Sequence, residues 1–566
     1  MIPCALCHYN TMSTIPAESE LTSTPESLHD AAIGQLLEAA DPIAFEAWLQ
    51  THAGDFGFSV TSGPVQDQTD IYLETEDWRF YRASYALRLR RQSPAGGIVA
   101  QLRWLDEAAG GLPSPEPRQE VSEPLADGNL ETLRTAPGPV GQRLRALAGP
   151  KTIRPLFAVQ IRRKMSNLAR EVDLAAVMMT DEARILRGPG QEPVRMGQVR
   201  LMVSEPAAAS VEALVDAGCL EGVLRRAGRS KYAAGLEALA LTPAPVPELG
   251  PTEIGDTLSL RGLALAVLRR HFAALLAHEP GTRLGDDPEG LHRMRVATRR
   301  LRAALGLFAE GLPGRAARFR DELRWVANGL GEVRDIDVQL EQVEAWQKDA
   351  GLSASAPDAL EPLKAILALQ RTRARVRMLA ILDSRRCARL VGSFTAMVKS
   401  GLPRRPREPG ARRPAVEAVP ALIVGRYREV RQAGDELADG SPPEAYHALR
   451  IRGKRLRYVL EFVGDIYGEP ATELARSVVA LQDVLGLHQD AIVAMAQLRT
   501  LIETHGRHLP PATIFAMGEI AERYARQAAD CRRRLPEVYA RVRGRPWKRL
   551  RQAMKARQQP EAPAPA

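Results

Sequence analysis

Two periodicities divide the chain. In the N-terminal part, apolar positions recur every second residue: Tyr85, Leu87 and Leu89 alternate with Ala86, Arg88 and Arg90, and Ile98 to Trp104 alternates again after the turn signal at Pro94–Gly97. A period of two is that of a β-strand, so this stretch predicts a hairpin with basic residues on one face. Further strand-like runs at 155–164 and 197–204 are separated by Pro/Gly-rich segments at 108–124 and 136–155. The pattern predicts a mainly antiparallel sheet or barrel over residues 51–241. Residues 242–251 (TPAPVPELGP) hold four prolines and no periodic apolar pattern, which predicts a linker.

From residue 252 to 552 the text is helical and rich in Leu, Ala and Arg, with a Pro/Arg/Gly-rich break at 401–414 separating residues 252–400 from 415–552. The fold class expected is therefore α+β with two domains, a sheet domain followed by an all-α domain. Residues 1–50 contain no Lys or Arg, and the first 28 are rich in Ser, Thr, Pro and Glu, so that segment is expected to be disordered. A disordered tail is expected over 553–566. Cys4, Cys7 and His8 look like half of a zinc knuckle, but a structural zinc site needs a second pair of ligands nearby and none follows.

The helical half is written twice. Leu291-His292-Arg293-Met294-Arg295-Val296-Ala297-Thr298-Arg299-Arg300-Leu301-Arg302 returns as Tyr446-His447-Ala448-Leu449-Arg450-Ile451-Arg452-Gly453-Lys454-Arg455-Leu456-Arg457, at an offset of 155 residues. The same offset carries Leu330-Gly331 onto Leu485-Gly486 and Asp335 onto Asp490. Two motifs in one register mark a duplication. Both copies begin with a capping-box spacing, Asp286 three residues before Glu289 and Ser441 three before Glu444, with Pro288 and Pro443 in the first turn. At about 100° per residue, His292, Arg295, Arg299 and Arg302 fall within an arc of about 80°, with Met294, Leu301, Leu305 and Phe308 on a separate apolar face. His447, Arg450, Lys454 and Arg457 repeat the basic arc.

Charge sharpens this picture. Residues 1–250 carry 24 Lys and Arg against 31 Asp and Glu, whereas the rest of the chain carries 53 against 37. Such asymmetry points the helical half toward a polyanion: nucleic acid, an anionic membrane or inorganic polyphosphate. A solvated helix face normally mixes signs at a spacing of four. A single sign stacked three and four apart is repulsive by a few tenths of a kcal/mol per pair, which a bound anion would relieve. Arg outnumbers Lys, as suits bidentate contacts to phosphate oxygens. Neither His292 nor His447 has a His or Cys four residues away, so a metal site is not expected there. Asp335 and Asp490 are expected to orient a neighbouring Arg or His, or to balance charge. Aromatics are only 5% of the chain, fewer than single-strand stacking platforms need, so nucleic acid is not the expected partner. No run of about 18 uncharged apolar residues occurs, so no membrane span is expected. Five scattered cysteines favour a reducing compartment, the cytoplasm.

The paired helices, each followed by Leu-Gly and an Asp, resemble the CHAD family, the conserved histidine α-helical domain, over residues 252 to about 552. That resemblance implies two four-helix bundles about a pseudo-twofold axis and a central basic surface that binds inorganic polyphosphate. The site residues it implies are His292, Arg295, Arg299, Arg300, Arg302, His447, Arg450, Arg452, Lys454, Arg455 and Arg457. An association with polyphosphate granules follows from the same likeness.

Residues 67–235 are similar to the CYTH domain, the triphosphate tunnel metalloenzyme fold, which implies an antiparallel barrel around a tunnel. The similarity rests on Gln68 to Thr75, on Leu87-Arg88-Leu89-Arg90, on Arg103, on Arg162 or Arg163, and on Ser230-Lys231-Tyr232. It implies tunnel phosphate contacts from Arg88, Arg90, Arg103, Arg162 and Lys231. The family's opening Glu-x-Glu-x-Lys strand is absent from residues 1–66, and its late acidic strand reads Gln198-Val199-Arg200-Leu201-Met202. A hard divalent cation needs oxygen ligands there, and Glu120 and Glu123 are too few to replace them. The expectation is a polyphosphate-binding protein with a degenerate tunnel, no required cofactor and no catalytic residue. The alternative is an inorganic triphosphatase using Mg or Mn and fed by the helical domain.

Overall fold

The computed structural model describes residues 32–93, 96–105, 120–171, 173–187, 190–226, 229–243, 247–255, 257–348, 358–400, 408–438 and 440–558. The chain divides at residue 245 into two compact units, an N-terminal antiparallel sheet domain and a C-terminal helical domain.

The first unit opens with β1 (Ala32–Glu38) and α1 (Pro42–His52), followed by β2 (Ser59–Ser62), β3 (Gln66–Thr75), α2 (Arg79–Arg82), β4 (Tyr85–Ser93), β5 (Ile98–Trp104) and β6 (Val121–Leu125). After α3 (Leu130–Thr135) and α4 (Pro139–Ala148) come the long strands β7 (Ile153–Arg170), β8 (Asp173–Leu186) and β9 (Val194–Ser204), then α5 (Ala208–Leu220) and α6 (Lys231–Ala238). The sheet runs β1-β9-β8-β7-β3-β4-β5-β6, with β2 also pairing β7. Every pairing is antiparallel. Side chains from β3, β4, β5, β7 and β9 line one cavity, so the sheet curls.

The segment expected to be disordered is folded from residue 32 onward. Asp41 caps α1 by accepting from the amides of Ile43 and Ala44, and Leu37, Phe45, Trp48 and Leu49 are buried against Val199, Leu201 and Val215. Burying four such side chains is worth roughly 1.5–3 kcal/mol each, more than an acid-rich composition can oppose. Cys4, Cys7 and His8 lie outside the described residues, as do the centre of the Pro94–Gly97 turn and residues 559–566.

The second unit comprises α7 (Leu260–Leu284), α8 (Pro288–Leu307), α9 (Ala316–Lys348), α10 (Glu361–Asp383), α11 (Arg385–Lys399), α12 (Ala415–Asp435), α13 (Pro443–Phe462), α14 (Gly464–Tyr467), α15 (Glu469–His505), α16 (Pro511–Arg543) and α17 (Arg545–Gln558). Helix α8 packs between α7 and α9, and its counterpart α13 packs between α12 and α15. Met294, Leu301, Leu305 and Phe308 are buried, as are Leu456 and Leu460, so the 3.6-residue period reads the core face of both copies. Leu249 of the Pro-rich stretch is buried in this core, and Arg269 donates to the Pro251 carbonyl, so that end of the stretch belongs to the helical unit.

Three details depart from expectation. Asp287, not Asp286, caps α8 by accepting from the Glu289 amide, and α13 starts after Pro442 with no side-chain cap. Ser441 instead accepts from the Ala438 amide. The C-terminal tail begins later than residue 553, because α17 buries Leu550 and Met554 and runs to Gln558. The stretch Glu469–His508 is long and apolar enough to cross a membrane. Its Leu474, Val478, Leu481 and Leu485 are buried among the other helices, the environment of a core helix.

Candidate functional site

In the sheet unit, cross-strand pairing builds a small polar cavity lined by Tyr72, Arg88, Arg90, Arg103, Glu120, Arg163, Arg200 and Lys231. Residues directly opposite one another on an antiparallel pair share a face. Asp70 on β3 stands opposite Arg90 on β4, and the two form a bidentate pair at 2.8 Å in both arms. Arg88 stands between Tyr72 and Gln101, donating to Gln101 at 2.8 Å, to Asp70 at 3.2 Å and to Glu120 at 3.1 Å. Asp181 on β8 faces Arg163 on β7, which grips it at 2.7 and 2.8 Å. Lys231, the first residue of α6, donates to Asp181 at 2.7 Å and to Gln198 at 2.5 Å.

Electrostatics follow from this crowding. Burial pushes the Asp181 carboxyl up, but Arg163 and Lys231 outweigh it and hold the group well below the usual carboxylate range. Burial pulls the Lys231 ammonium down to about 8 against the attraction of Asp181. Arg200 falls to about 10, through burial first and then repulsion from Arg103, Arg163 and Arg88. Its backbone pairs within the sheet, but its side chain forms no hydrogen bond or ion pair with any described residue.

Arg162 is not part of this cavity. Its side chain is 57% exposed and pairs loosely with Asp67 and Glu182 on the outer face. Strand alternation explains why: Phe157, Val159, Ile161 and Arg163 share the inner face of β7, and Arg162 points away. Glu123 is also elsewhere, accepting from the Gly138 and Gly141 amides to cap α4. Sequence reasoning missed Asp70, Asp181 and Gln198 as cavity partners; their signal was the alternation of each strand.

A divalent metal does not fit this donor set. The carboxylates of Asp70, Asp181 and Glu120 already accept from arginine or lysine. Leu36 and Glu38 of β1 stand opposite Arg200 and Gln198, so the neighbour of Arg200 on β1 is apolar. Glu38 pairs with Arg225 at 3.2 Å. No group of three or more His, Cys, Asp or Glu side chains able to hold a metal occurs among the described residues.

In the helical unit, α8 and α13 meet, bringing the two basic arcs together. Arg295 pairs with Asp335 at 3.3 Å, and Arg450 pairs with Asp490 at 4.0 Å, the same residues one repeat apart. Gly331 lies under the Arg295 guanidinium, where a Cβ would stand 3.5 Å from Nε. Arg299 from one copy and Arg457 from the other lie over the Tyr458 ring, 5.9 and 5.6 Å from its centre. Glu461 ties the copies together, accepting from Arg300 at 2.8 Å and pairing with Arg457 at 3.1 Å. His447 shares a hydrogen bond with Gln489 at 2.8 Å. The Nε atoms of Arg299 and Arg450 are buried without a hydrogen-bond partner.

The crowding is strongest at Lys454, whose ammonium is pulled down to about 7 by burial and by Arg450, Arg299 and Arg457, with Asp490 opposing. His292 is held below its usual value by burial and by Arg334, Arg299 and Arg295, against Glu289. Not every predicted residue joins this cluster. Arg302 and Arg455 line a neighbouring groove with Arg320, Arg426 and Tyr458, and Arg455 reaches Glu429 at 4.0 Å. Arg452 is half-buried and contacts neither Asp335 nor Asp490 through an ion pair.

Family models match both units: a CYTH domain over residues 55–192 and a CHAD domain over residues 266–499. Two uncharacterised proteins from two strains of Mycobacterium tuberculosis are 26% and 25% identical to this chain, over 84% of its length and 90% of theirs. Among solved structures, the CHAD domain from the plant Ricinus communis is similar at 24% identity with a TM-score of 0.44, covering 52% of this chain and 96% of that one. A Hippeastrum protein described as an adenylyl cyclase with a dominant triphosphatase activity is similar at 15% identity with a TM-score of 0.26, covering 37% of this chain and 96% of that one.

Proposed function

We propose, for a chain that carries a CYTH domain followed by a CHAD domain, that its helical unit captures inorganic polyphosphate. The observation that carries this reading is the meeting of two duplicated basic arcs in one cluster of Arg295, Arg299, Arg450, Lys454 and Arg457. Burial first, and then the repulsion from Arg450, Arg299 and Arg457, brings Lys454 to about 7. Asp335, Asp490 and Glu461 answer Arg295, Arg450 and Arg457, and among the described residues Arg299 and Lys454 remain as excess positive charge.

The mechanism is electrostatic capture. A flexible chain with about one charge per phosphate gives up its counterions as the arginines engage its oxygens, by analogy with single-stranded nucleic acid. Planar guanidinium groups suit tetrahedral oxyanions, because each offers two parallel donors. The cytoplasm, including polyphosphate granules, is the proposed setting; Cys219, Cys387 and Cys531 are free thiols, as a reducing compartment allows.

The test is polyphosphate affinity of the wild type and of Arg295→Glu/Arg450→Glu, with single-stranded DNA as competitor. Tight wild-type binding against excess DNA, lost in the folded double variant, supports the reading. Equal competition by DNA, or undiminished binding by the variant, refutes it. Triphosphatase activity is the alternative, and phosphate release from tripolyphosphate with Mg²⁺ or Mn²⁺ decides it.

A further inference from the structure

Among its described residues the sheet cavity lacks a metal's ligands yet holds more cations than carboxylates. Five basic side chains, Arg88, Arg90, Arg163, Arg200 and Lys231, line it beside Arg103. Three described carboxylates answer these five: Asp70 accepts from two arginines, Asp181 from Arg163 and Lys231, and Glu120 from Arg88. Arg88 is 5% exposed and Lys231 9%, so water screens the excess poorly. Uncompensated charge in such a setting is strongly unfavourable. Arg200 bears most of it, since no described residue pairs with it, and it stands on β9 where the resemblance calls for a metal-binding carboxylate.

We infer that the sheet unit binds the phosphate oxyanion without a divalent cation, with the Arg200 guanidinium supplying the positive charge that a metal ion would otherwise supply. The fixed partners give this cavity its direction. Asp70 holds Arg90 and Asp181 holds Arg163 by two N–H donors each, so the remaining donor edges are preorganised rather than mobile. An incoming oxyanion completes the charge balance without displacing either carboxylate. A divalent cation, by contrast, would have to compete with Arg200 for the same space and pull a carboxylate from its arginine. This inference stands apart from the helical surface and does not depend on it.

Hydrogen exchange of the full chain tests it, because each unit reports through its own peptides. The probes are inorganic phosphate and tripolyphosphate, each with EDTA and each with Mg²⁺. The expected result is slowed exchange in peptides of β4 and β9 in EDTA with at least one probe, and no further slowing with Mg²⁺. Protection with phosphate alone makes the ligand a free ion; protection with tripolyphosphate alone makes it a condensed chain. Arg200→Gln should lose at least about tenfold in affinity by titration calorimetry in EDTA, and Arg200→Lys should recover part of it. Thermal melts of both variants check that they fold. Protection that appears only with Mg²⁺, no protection with either probe, or unchanged binding by folded Arg200→Gln would overturn the inference. Peptides of α8 and α13 read the helical surface separately, so a failure there leaves this result distinguishable.

Discussion

The proposed capture of a polyanion by the helical cluster should be proton-linked through Lys454. Its ammonium titrates near 7 in the free protein because burial and three arginines disfavour its charge. A polyanion reverses the sign of that field, so the bound form holds its proton to much higher pH. Affinity then scales with the protonated fraction of free Lys454, about nine-tenths at pH 6, half at pH 7 and one-hundredth at pH 9. Binding should therefore weaken by roughly 50–100-fold between pH 6 and pH 9, with one proton taken up per site at the alkaline end. Long polyphosphate is the right ligand, since its internal phosphates stay ionised throughout. His292, held below its ordinary value, is neutral over most of this range and adds little. Calorimetry in buffers of different ionisation enthalpy measures the proton uptake directly. Lys454→Arg, which stays charged, should bind with a nearly flat pH profile. The sign for stability runs the other way. Unfolding restores an ordinary lysine, which binds more protons between about pH 7 and 10, so the unliganded protein gains stability as pH rises through that window. A wild-type affinity that changes less than twofold from pH 6 to 9, or an equal slope in Lys454→Arg, would refute the reasoning.

Four further outcomes are expected. With five phosphate contacts, polyphosphate affinity should fall by about three and a half decades for a tenfold rise in salt, and a salt titration showing a nearly constant affinity would count against direct capture. Malachite-green assays of tripolyphosphate with Mg²⁺ or Mn²⁺ should show no phosphate release above a blank, because the cavity carboxylates are engaged by basic side chains. Asp181→Asn should destabilise the sheet unit by about 3–5 kcal/mol in denaturant melts, since it leaves Arg163 and Lys231 buried without their shared counter-charge. Gly235→Ala would drive a Cβ into the Phe157 ring, and overpacking there should cost about 1–3 kcal/mol.

The helical half was the more legible. Its apolar residues recur at the spacing of one helix face, so Met294, Leu301 and Leu305 could be assigned to the core from the sequence alone. The duplication gave a second, independent reading of the same face at Leu456 and Leu460. What it left out was contact between the two copies: Tyr458 between Arg299 and Arg457, and Glu461 between Arg300 and Arg457, lie on different helices whose meeting no local spacing encodes. In the sheet unit, β4 and β5 were readable because they alternate. β1, written AIGQLLE, does not alternate cleanly and sits after a stretch rich in Ser, Thr and Pro, so its pairing with β9 was invisible. The choice between Arg162 and Arg163 needed the parity of Phe157, Val159 and Ile161, which fixes the inner face. The capping error at α8 has a similar cause. Asp286 and Asp287 are adjacent acids, and only the backbone turn selects between them.

The repeat-related pairs Arg295–Asp335 and Arg450–Asp490 bear on the direction in which a polymer can be threaded. Nucleic acids have unlike ends, and a site that reads them must meet the correct strand sense. A linear phosphate chain is the same read from either end. The proposed binding surface, made by duplication, would present like chemistry to whichever terminus arrives first, so no encounter would be wasted on the wrong heading, and a bound chain could leave through the side by which it entered or the other. Disabling only one copy would break that equivalence, leaving a surface on which chain sliding acquires a preferred exit.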